Sequence, residues 1–518
     1  MYSSLATTWS AFVNSSGLRR APCRTGRCNR WVSSGVVAFH HTVDGLNSVW
    51  LFPGISRQDV GGALVSIGNI WKACQEYRWF VAALVTGLVV RVALAPLGWH
   101  AYDMFTFSDW AWQLFEEPRN RFYAAPLEVP GDHLPGDLTI MWIMAHVTRV
   151  AVPGFDFFDN RYVLIIKAVP IVCDLLLAVG MALVARSFGS RRQAVVVGSL
   201  VALNPAAIMI SAVWGQWDSV PMALVVFAVL ALIRKRSWLA FPLLACACLF
   251  KPQLGVLIPL FAIADLRLRM LPLPGISRWR RWGTALQSAW RGWAAGFAAS
   301  LAVILALSLP FGIGFPGMDT RYTLFERIQF AAERYASTSH GAYNLWYLLF
   351  PETRWDGDIG VFGLSHHQVG YVLFAGALVL AVIGVLTIDP WPVAFAWGGV
   401  VVTLAIYMLP TRIHERYVFP AVVFAFLLVL IAPQFRWLAG GLTITAFVGI
   451  YLSYSWYKPS IDVHVLQHHA VLRTLALVNL AMFVAVLAWG IREMLGTRQY
   501  SLAQGRKDRE PALGAKSP

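Results

Sequence analysis

The sequence predicts an all-α fold: a polytopic transmembrane helical bundle of about twelve spans, with juxtamembrane helices in the first outer loop. Three observations carry this. Hydrophobic residues make up 58% of the 518-residue chain and charged residues only 13%, where a soluble domain carries roughly a quarter charged residues. Apolar runs near the roughly 20 residues needed to cross a bilayer recur along the whole length. The runs are continuous rather than alternating in period two, which argues against a β-barrel. The 23 Trp and 31 Phe suit aromatic rings at a membrane interface.

In chain order, residues 1–75 read as a cytoplasmic extension without regular structure. No Asp or Glu precedes Asp44, and Arg19, Arg20, Arg24, Arg27 and Arg30 stand among Ser, Thr and Gly. That composition resembles an organellar transit peptide; a disordered cytoplasmic tail, or a start site placed too far upstream, is the plainer and favoured account. The membrane domain covers 76–490. Spans are expected at about 79–97, 163–185, 193–213, 219–233, 238–250, 252–264, 294–311, 367–387, 391–409, 417–432, 437–456 and 470–490. Residues 491–518 read as a disordered cytoplasmic tail.

Basic residues orient the spans. With a cytoplasmic N-terminus, the inner loops 186–192, 234–237, 265–293, 388–390 and 433–436 hold 13 Lys and Arg in 47 residues. The outer segments 100–162, 214–218, 251–253, 312–366, 410–416 and 457–469 hold 12 in 146. This is the positive-inside bias. Residues 138–152 are too short to span, at about 22 Å as a helix, and a span there would invert the later loops. They are read as a helix on the outer surface. A single span over 238–264 would put Lys251 in mid-membrane at a cost of about 2.5–3.5 kcal/mol. Two short helices meeting at Lys251-Pro252-Gln253 avoid this, and Pro252 suits the start of a helix.

The net charge of +15 does not point to nucleic acid, because the cations sit mainly in short loops between apolar runs. Cys23 and Cys28 are close, but no second pair completes a zinc spacing. Cys173, Cys246 and Cys248 lie in apolar runs and read as packing residues. His464, His468 and His469 are close together without a convincing third-ligand pattern, so no metal and no cofactor is expected.

Five polar clusters fall on the outer side of this topology. They are Asp103/Asp109, Gly215-Gln216-Trp217-Asp218-Ser219, Lys251-Pro252-Gln253, Ala342-Tyr343-Asn344-Leu345-Trp346 and Arg412-Ile413-His414-Glu415-Arg416-Tyr417. Each also has a plain structural account. Asp218 caps the next helix, Lys251 snorkels, Asn344 shapes a turn, Glu415 and Arg416 form a rim pair, and Asp109 is a surface acid. Lys167 and Asp174, seven residues apart, read as a structural polar stripe. Taken together, the clusters bring a carboxylate base, cations and aromatic walls to one membrane edge, where acids are costly and mark function. Arg and Lys hold phosphate, cations stabilise a leaving phosphate, and a carboxylate takes the proton of an attacking alcohol. No Gly-rich phosphate loop and no nucleophile elbow is present.

These residues resemble the motifs of the GT-C superfamily of membrane glycosyltransferases, over about 79–435. Asp103, with Trp110 seven residues later, is similar to the acidic first outer loop of the polyprenyl-phosphate-glucose and -mannose users. Asp132-His133-Leu134-Pro135-Gly136 is similar to their Asp-Tyr-Pro-Pro element, with one Pro missing and His133 replacing an aromatic. Gly215-Gln216-Trp217-Asp218 resembles a His-Phe-Gln-Tyr-Asn motif, Lys251-Pro252-Gln253 a Lys-Gln element, and His414-Glu415-Arg416-Tyr417 a late His-Glu-Arg-Tyr motif. Tyr343-Asn344-Leu345-Trp346 occurs in bacterial members.

The resemblance implies transfer of a hexose, of mannose or glucose type, from a polyprenyl-phosphate carrier to a glycan, glycolipid or protein acceptor. Asp103 is then the base, with Asp109 its rival. Lys251, a protonated His414 and Arg416 neutralise the departing phosphate. Trp110, Trp217 and Trp346 wall the sugar or lipid groove, and Gln216, Asp218, Gln253, Asn344 and Glu415 complete substrate binding. The expected location is a plasma membrane with the site on the extracytoplasmic side, or the endoplasmic reticulum membrane in a eukaryote. The rival class is a lipid or solute transporter, although no internal repeat of the kind carriers show is visible. A third is a non-catalytic subunit of the same fold.

Overall fold

The computed structural model describes residues 19–20, 30–33, 36–43, 46–53, 75–156, 158–270, 278–350, 353–456 and 468–507. Arg24, Arg27, Cys23, Cys28 and His464 lie outside the described residues. The chain divides into two units, Met1–Glu76 and Tyr77–Pro518.

The first unit holds a four-stranded antiparallel meander: β1 (Arg19–Arg20), β2 (Arg30–Ser33), β3 (Val36–Val43) and β4 (Leu46–Pro53). The reading of residues 1–75 as an extension did not anticipate strands. In β3 and β4, Val43 pairs with Leu46 and Val36 with Pro53. Their runs are rich in Val, Phe, Trp and Thr, which suit a pleated ladder. Asp44-Gly45 between them is a two-residue hairpin signal that the composition argument passed over.

Among the described residues, the regular structure of the second unit is helical apart from a short parallel pair, Ile313–Gly314 with Tyr322–Thr323, and isolated bridges. In chain order its helices are α1 (Arg78–Leu94), α2 (Ala101–Glu116), α3 (Pro135–Ala151), α4 (Asn160–Phe188), α5 (Arg191–Ala202), α6 (Pro205–Ile208), α7 (Ser219–Ile233), α8 (Ser237–Cys248) and α9 (Ile258–Met270). They continue with α10 (Arg278–Ser308), α11 (Leu324–Glu333), α12 (Leu345–Leu349), α13 (His366–Thr387), α14 (Trp391–Met408), α15 (Phe419–Ile431), α16 (Arg436–Trp456) and α17 (His469–Lys507). Helices lie along the expected spans, with 193–213 interrupted between α5 and α6 and 252–264 beginning as a 3₁₀ turn, and α17 runs on into the segment read as a tail.

Among the described residues, seven helices are long and apolar enough to cross a membrane. The other expected spans are short helices of 12 to 17 residues, and packing explains how this is tolerated. Of these, α7 has 15 residues and α15 has 13, both nearly buried throughout. At about 20 Å a 13-residue helix is shorter than a bilayer core, but a helix enclosed by other helices does not have to match lipid thickness. The centre is α14, buried along its whole length.

The break at Lys251 is real. A straight helix from 237 to 265 would separate its ends by roughly 40 Å, whereas Ser237 Oγ donates to Asp265 Oδ2 at 2.7 Å. α8 and α9 therefore form a hairpin, joined through a 3₁₀ turn at Pro252–Leu257. At its open end, Arg269 and Trp293 also reach Asp265, at 3.1 and 2.7 Å, and Arg267 pairs with Asp389. The Lys251 end faces the other way. There Gly136 N donates to Leu249 O at 3.0 Å, and a Cβ on Gly136 would lie 2.7 Å from that oxygen. Only glycine lets α3 start so close to the end of α8.

The polar stripe of α4 is a pair of interhelical ties. Asp174 takes Arg91 Nε at 2.8 Å and Ser211 Oγ at 2.6 Å, while the Lys167 ammonium caps backbone carbonyls.

Candidate functional site

Asp103 sits in the first turn of α2, behind the N-cap His100, whose Nδ1 accepts from Asp103 N at 3.3 Å. Its partners come from an irregular stretch. After α6 the chain continues as a π-helix, Met209–Trp214, and stops at Gly215 with φ +97°. π-Helical turns gather at functional sites. Here the turn aims two donors at one carboxylate oxygen: Trp214 Nε1 reaches Asp103 Oδ2 at 2.6 Å and Gln216 Nε2 reaches it at 2.5 Å. The His100 ring stacks on Trp214 with centroids 4.6 Å apart and lies 3.3 Å from the same oxygen. Among the described residues no donor is bonded to Oδ1, and the side chain is 15% exposed. Burial pushes this carboxyl up, but His100, the charge of Arg416 and the Gln216 hydrogen bond outweigh it and hold it well below the usual carboxylate range.

Beside Asp103 lies a chain of charges from three segments. Asp218 Oδ1 is 3.5 Å from Lys251 Nζ, and Asp218 Oδ2 is 3.5 Å from Arg416 Nε. Arg416 Nη1 also reaches Glu415 Oε1 at 3.1 Å, and its guanidinium lies 5.9 Å from the Trp214 ring. Lys251 lies over Tyr417 at 5.3 Å. Both 3.5 Å contacts are long for charge-assisted hydrogen bonds, which run about 2.7–2.9 Å. Arg416 Nε and Asp218 Oδ2 are buried without a hydrogen-bond partner. Burial opposes charging Lys251, yet Asp218 and Tyr417 keep its ammonium above the usual lysine range. The same holds for Arg416 through Glu415, Asp218 and Asp103. Burial raises the Glu415 carboxyl despite Arg416.

The loop carrying Arg416 is fixed from beneath. Arg412 adopts φ +65° and clamps Asp356 through Nε at 2.6 Å and Nη2 at 3.2 Å, while Thr411 Oγ1 donates to Asp356 Oδ2 at 2.8 Å. The long segment between α10 and α13 closes over the first loop: Arg334 pairs with Asp132 at 3.2 Å, and Tyr335 packs against His340 and His414.

The structure thus brings Asp103, Gln216, Asp218, Lys251, His414, Glu415 and Arg416 to one end of the bundle, with Trp217 buried nearby against Phe107 at 5.6 Å. Gln253 is half-buried in the turn after Lys251. Asp218 occupies the N-cap position of α7 but makes no capping hydrogen bond, so its side chain serves the cations.

Five residues depart from their expected roles. His414 is not a cation: burial, then Arg416, His340 and Lys251, lower it well below the ordinary histidine range. Asp109 points away from Asp103 into a separate pocket of about 430 Å³ with Glu128, Trp112 and Phe155. Its carboxyl, raised by burial, is held by the backbone of residues 128 and 129. Trp110 is fully buried, donates to Val129 O at 2.7 Å and packs on Phe122, so it builds the first loop and walls no groove. Asn344 caps α12 and reaches Tyr407 O, and Trp346 Nε1 reaches Leu409 O at 2.6 Å; both fasten α12 to the end of α14. Sequence reasoning missed Trp214 and His100. The Trp-Gly that ends the apolar run at 214–215 was the available signal for the first.

The fold and site define a multispanning helical protein with a carboxylate and two cations at one end of the bundle. No family model matches the chain, and no curated protein matches it.

Proposed function

We propose that this chain is a membrane glycosyltransferase of GT-C type. It moves a hexose, of mannose or glucose type, from a polyprenyl-phosphate carrier to a hydroxyl of a glycan, glycolipid or protein. In this reading the helices make twelve spans, with Asp103 on the extracytoplasmic side of the plasma membrane. The supporting observation is the Asp103 carboxylate, tied at Oδ2 and open at Oδ1, beside Arg416 and Lys251.

The acceptor hydroxyl attacks the anomeric carbon and gives its proton to Asp103 Oδ1. The new C–O bond forms as the bond to the phosphate oxygen breaks, with inversion. The departing polyprenyl phosphate carries the electron pair to Arg416 and Lys251, whose long contacts with Asp218 leave donors for it. A strongly ionised carboxylate is a weak base, so the proton moves late, once the attacking oxygen has become acidic. His414 acts as a neutral hydrogen-bonding group.

The test is Asp103→Asn in membranes supplied with labelled donor lipid. An asparagine can turn its carbonyl oxygen toward Trp214 and Gln216, so the variant keeps its fold and loses the charge. Transfer is expected to drop about 10²–10⁴-fold, the range for a missing general base. Near-normal transfer by folded protein would sink the assignment. Restoration by Mg²⁺ after loss in EDTA would contradict phosphate neutralisation by side-chain cations.

A further inference from the structure

The Lys167 ammonium is buried within α4 and donates to backbone carbonyls of two separate segments. These are Ala95 at 2.9 Å and Gly98 just past α1, and Ala212 at 2.8 Å and Val213 at 3.0 Å in the π-helix. The last carbonyls of a helix have no partner inside it. One nitrogen therefore caps two helix ends, and four acceptors call for the three N–H groups of a charged amine.

Both capped segments lead straight into the site. Two residues after Gly98 comes His100, the N-cap of α2, and three further on comes Asp103. Immediately after Val213 come Trp214 and Gln216, the two donors to Asp103 Oδ2. The segments also meet directly, because His100 N donates to Trp214 O at 3.2 Å. The Lys167 stem packs where a Cβ on Gly215 would lie, 3.1 Å from its Cε. We propose that Lys167 is a positioning residue: it sets the spacing between α2 and the Trp214–Gln216 turn, so that Oδ2 is occupied and Oδ1 is presented. It touches no reacting atom. Lys251 and Arg416 are carried by other elements, the turn after α8 and the loop before α15.

The kinetic arm of the test rests on the transfer reading, and a second arm does not. Lys167→Met keeps the stem and removes the ammonium. Per folded molecule, kcat is expected to fall about 10²-fold, the cost of a misplacement near 1 Å, while KM for the lipid donor stays within about threefold, a small step on the affinity scale. An unchanged kcat, or a loss carried wholly by KM, overturns the proposal. Should the methionine variant not fold, Lys167→Gln, which keeps two donors, decides by the same two constants. The second arm is a double-mutant cycle of Lys167→Met with Asp103→Asn, read by unfolding of solubilised protein. Non-additive effects are expected, and additivity overturns the coupling. Absent transfer by the unaltered protein would count against the glycosyltransferase reading alone and leave the cycle to decide Lys167.

Discussion

Replacing Arg416 by Gln separates two roles of that guanidinium. It lies 3.5 Å from Asp218 and 3.1 Å from Glu415, and its side chain is 11% exposed. Two unit charges 3.5 Å apart attract by about 5 kcal/mol at an effective dielectric of 20, and desolvation offsets part of this. Breaking a buried pair from one side costs about 3–5 kcal/mol, because the abandoned carboxylate stays buried. Arg416→Gln should therefore destabilise by a few kcal/mol, with Lys251 still partnering Asp218, and should slow transfer by about 10²–10³, as for a lost oxyanion donor. Adding Glu415→Gln removes the stranded charge, the carboxylate that Arg416 leaves behind. The double variant should recover most of the stability and none of the transfer. Thermal unfolding in detergent followed by intrinsic tryptophan fluorescence reads the first, and labelled-donor transfer per folded molecule reads the second. If the double variant regains transfer, Arg416 serves only to neutralise Glu415, and the phosphate role is wrong.

Gly215→Ala places a Cβ 2.7 Å from Met104 Cε at a φ of +97°. It should cost about 1–3 kcal/mol and lower kcat by moving Trp214 and Gln216; unfolding and transfer measured together check it, and an intact kcat would show that the turn does not govern Asp103. The two buried acids should respond to pH in opposite senses. The Asp103 carboxyl lies below its unfolded value, so its stabilisation is complete above about pH 4 and fades as pH falls further. The Glu415 carboxyl lies above its unfolded value, so in ionised form it opposes folding as pH rises past about 4.3. Glu415→Gln should accordingly stabilise at pH 7 and lose that gain near pH 4, as thermal unfolding at the two pH values would show; a loss of stability at pH 7 would mean that the pair with Arg416 outweighs burial.

The helices were legible because composition speaks directly to burial in lipid. The break at Lys251 was legible because a charge in mid-span is costly and Pro252 offered a start. Span length was less legible. Hydropathy measures apolarity, and a fully enclosed helix such as α15 is as apolar as one facing lipid. The residues that the structure gathers at one end of the bundle were legible where polar groups interrupted apolar runs, as at Gln216, Asp218, Lys251 and Arg416. Trp214 and His100 escaped because an aromatic at the end of a span looks like an interfacial anchor, and only the π-helical turn aims this one at a carboxylate. Asn344 and Trp346 were misplaced for the opposite reason: a conspicuous string of polar and aromatic residues was needed to fasten a five-residue helix. The protonated histidine was misread because its charge state depends on neighbours from other segments, Arg416 and His340 among them.

The two acids of α2 show how little spacing alone decides. Six residues along a helix turn a side chain through about 600°, leaving Asp103 and Asp109 roughly 120° apart around the axis. One face meets Trp214 and Gln216 and shares the field of Arg416. The other meets the backbone of residues 128 and 129 beside another acid, Glu128. Transfer from a phosphate carrier needs a base and a cation within one substrate's reach, so the helix geometry itself excludes Asp109 from pairing with Arg416. In the proposed reaction, Asp218 would keep the cations ordered before substrate arrives. It bridges Lys251 and Arg416 at 3.5 Å on each side, close enough to hold both charges in register and too far to consume their hydrogen bonds, so in the proposed reaction an incoming phosphate would meet donors already aligned.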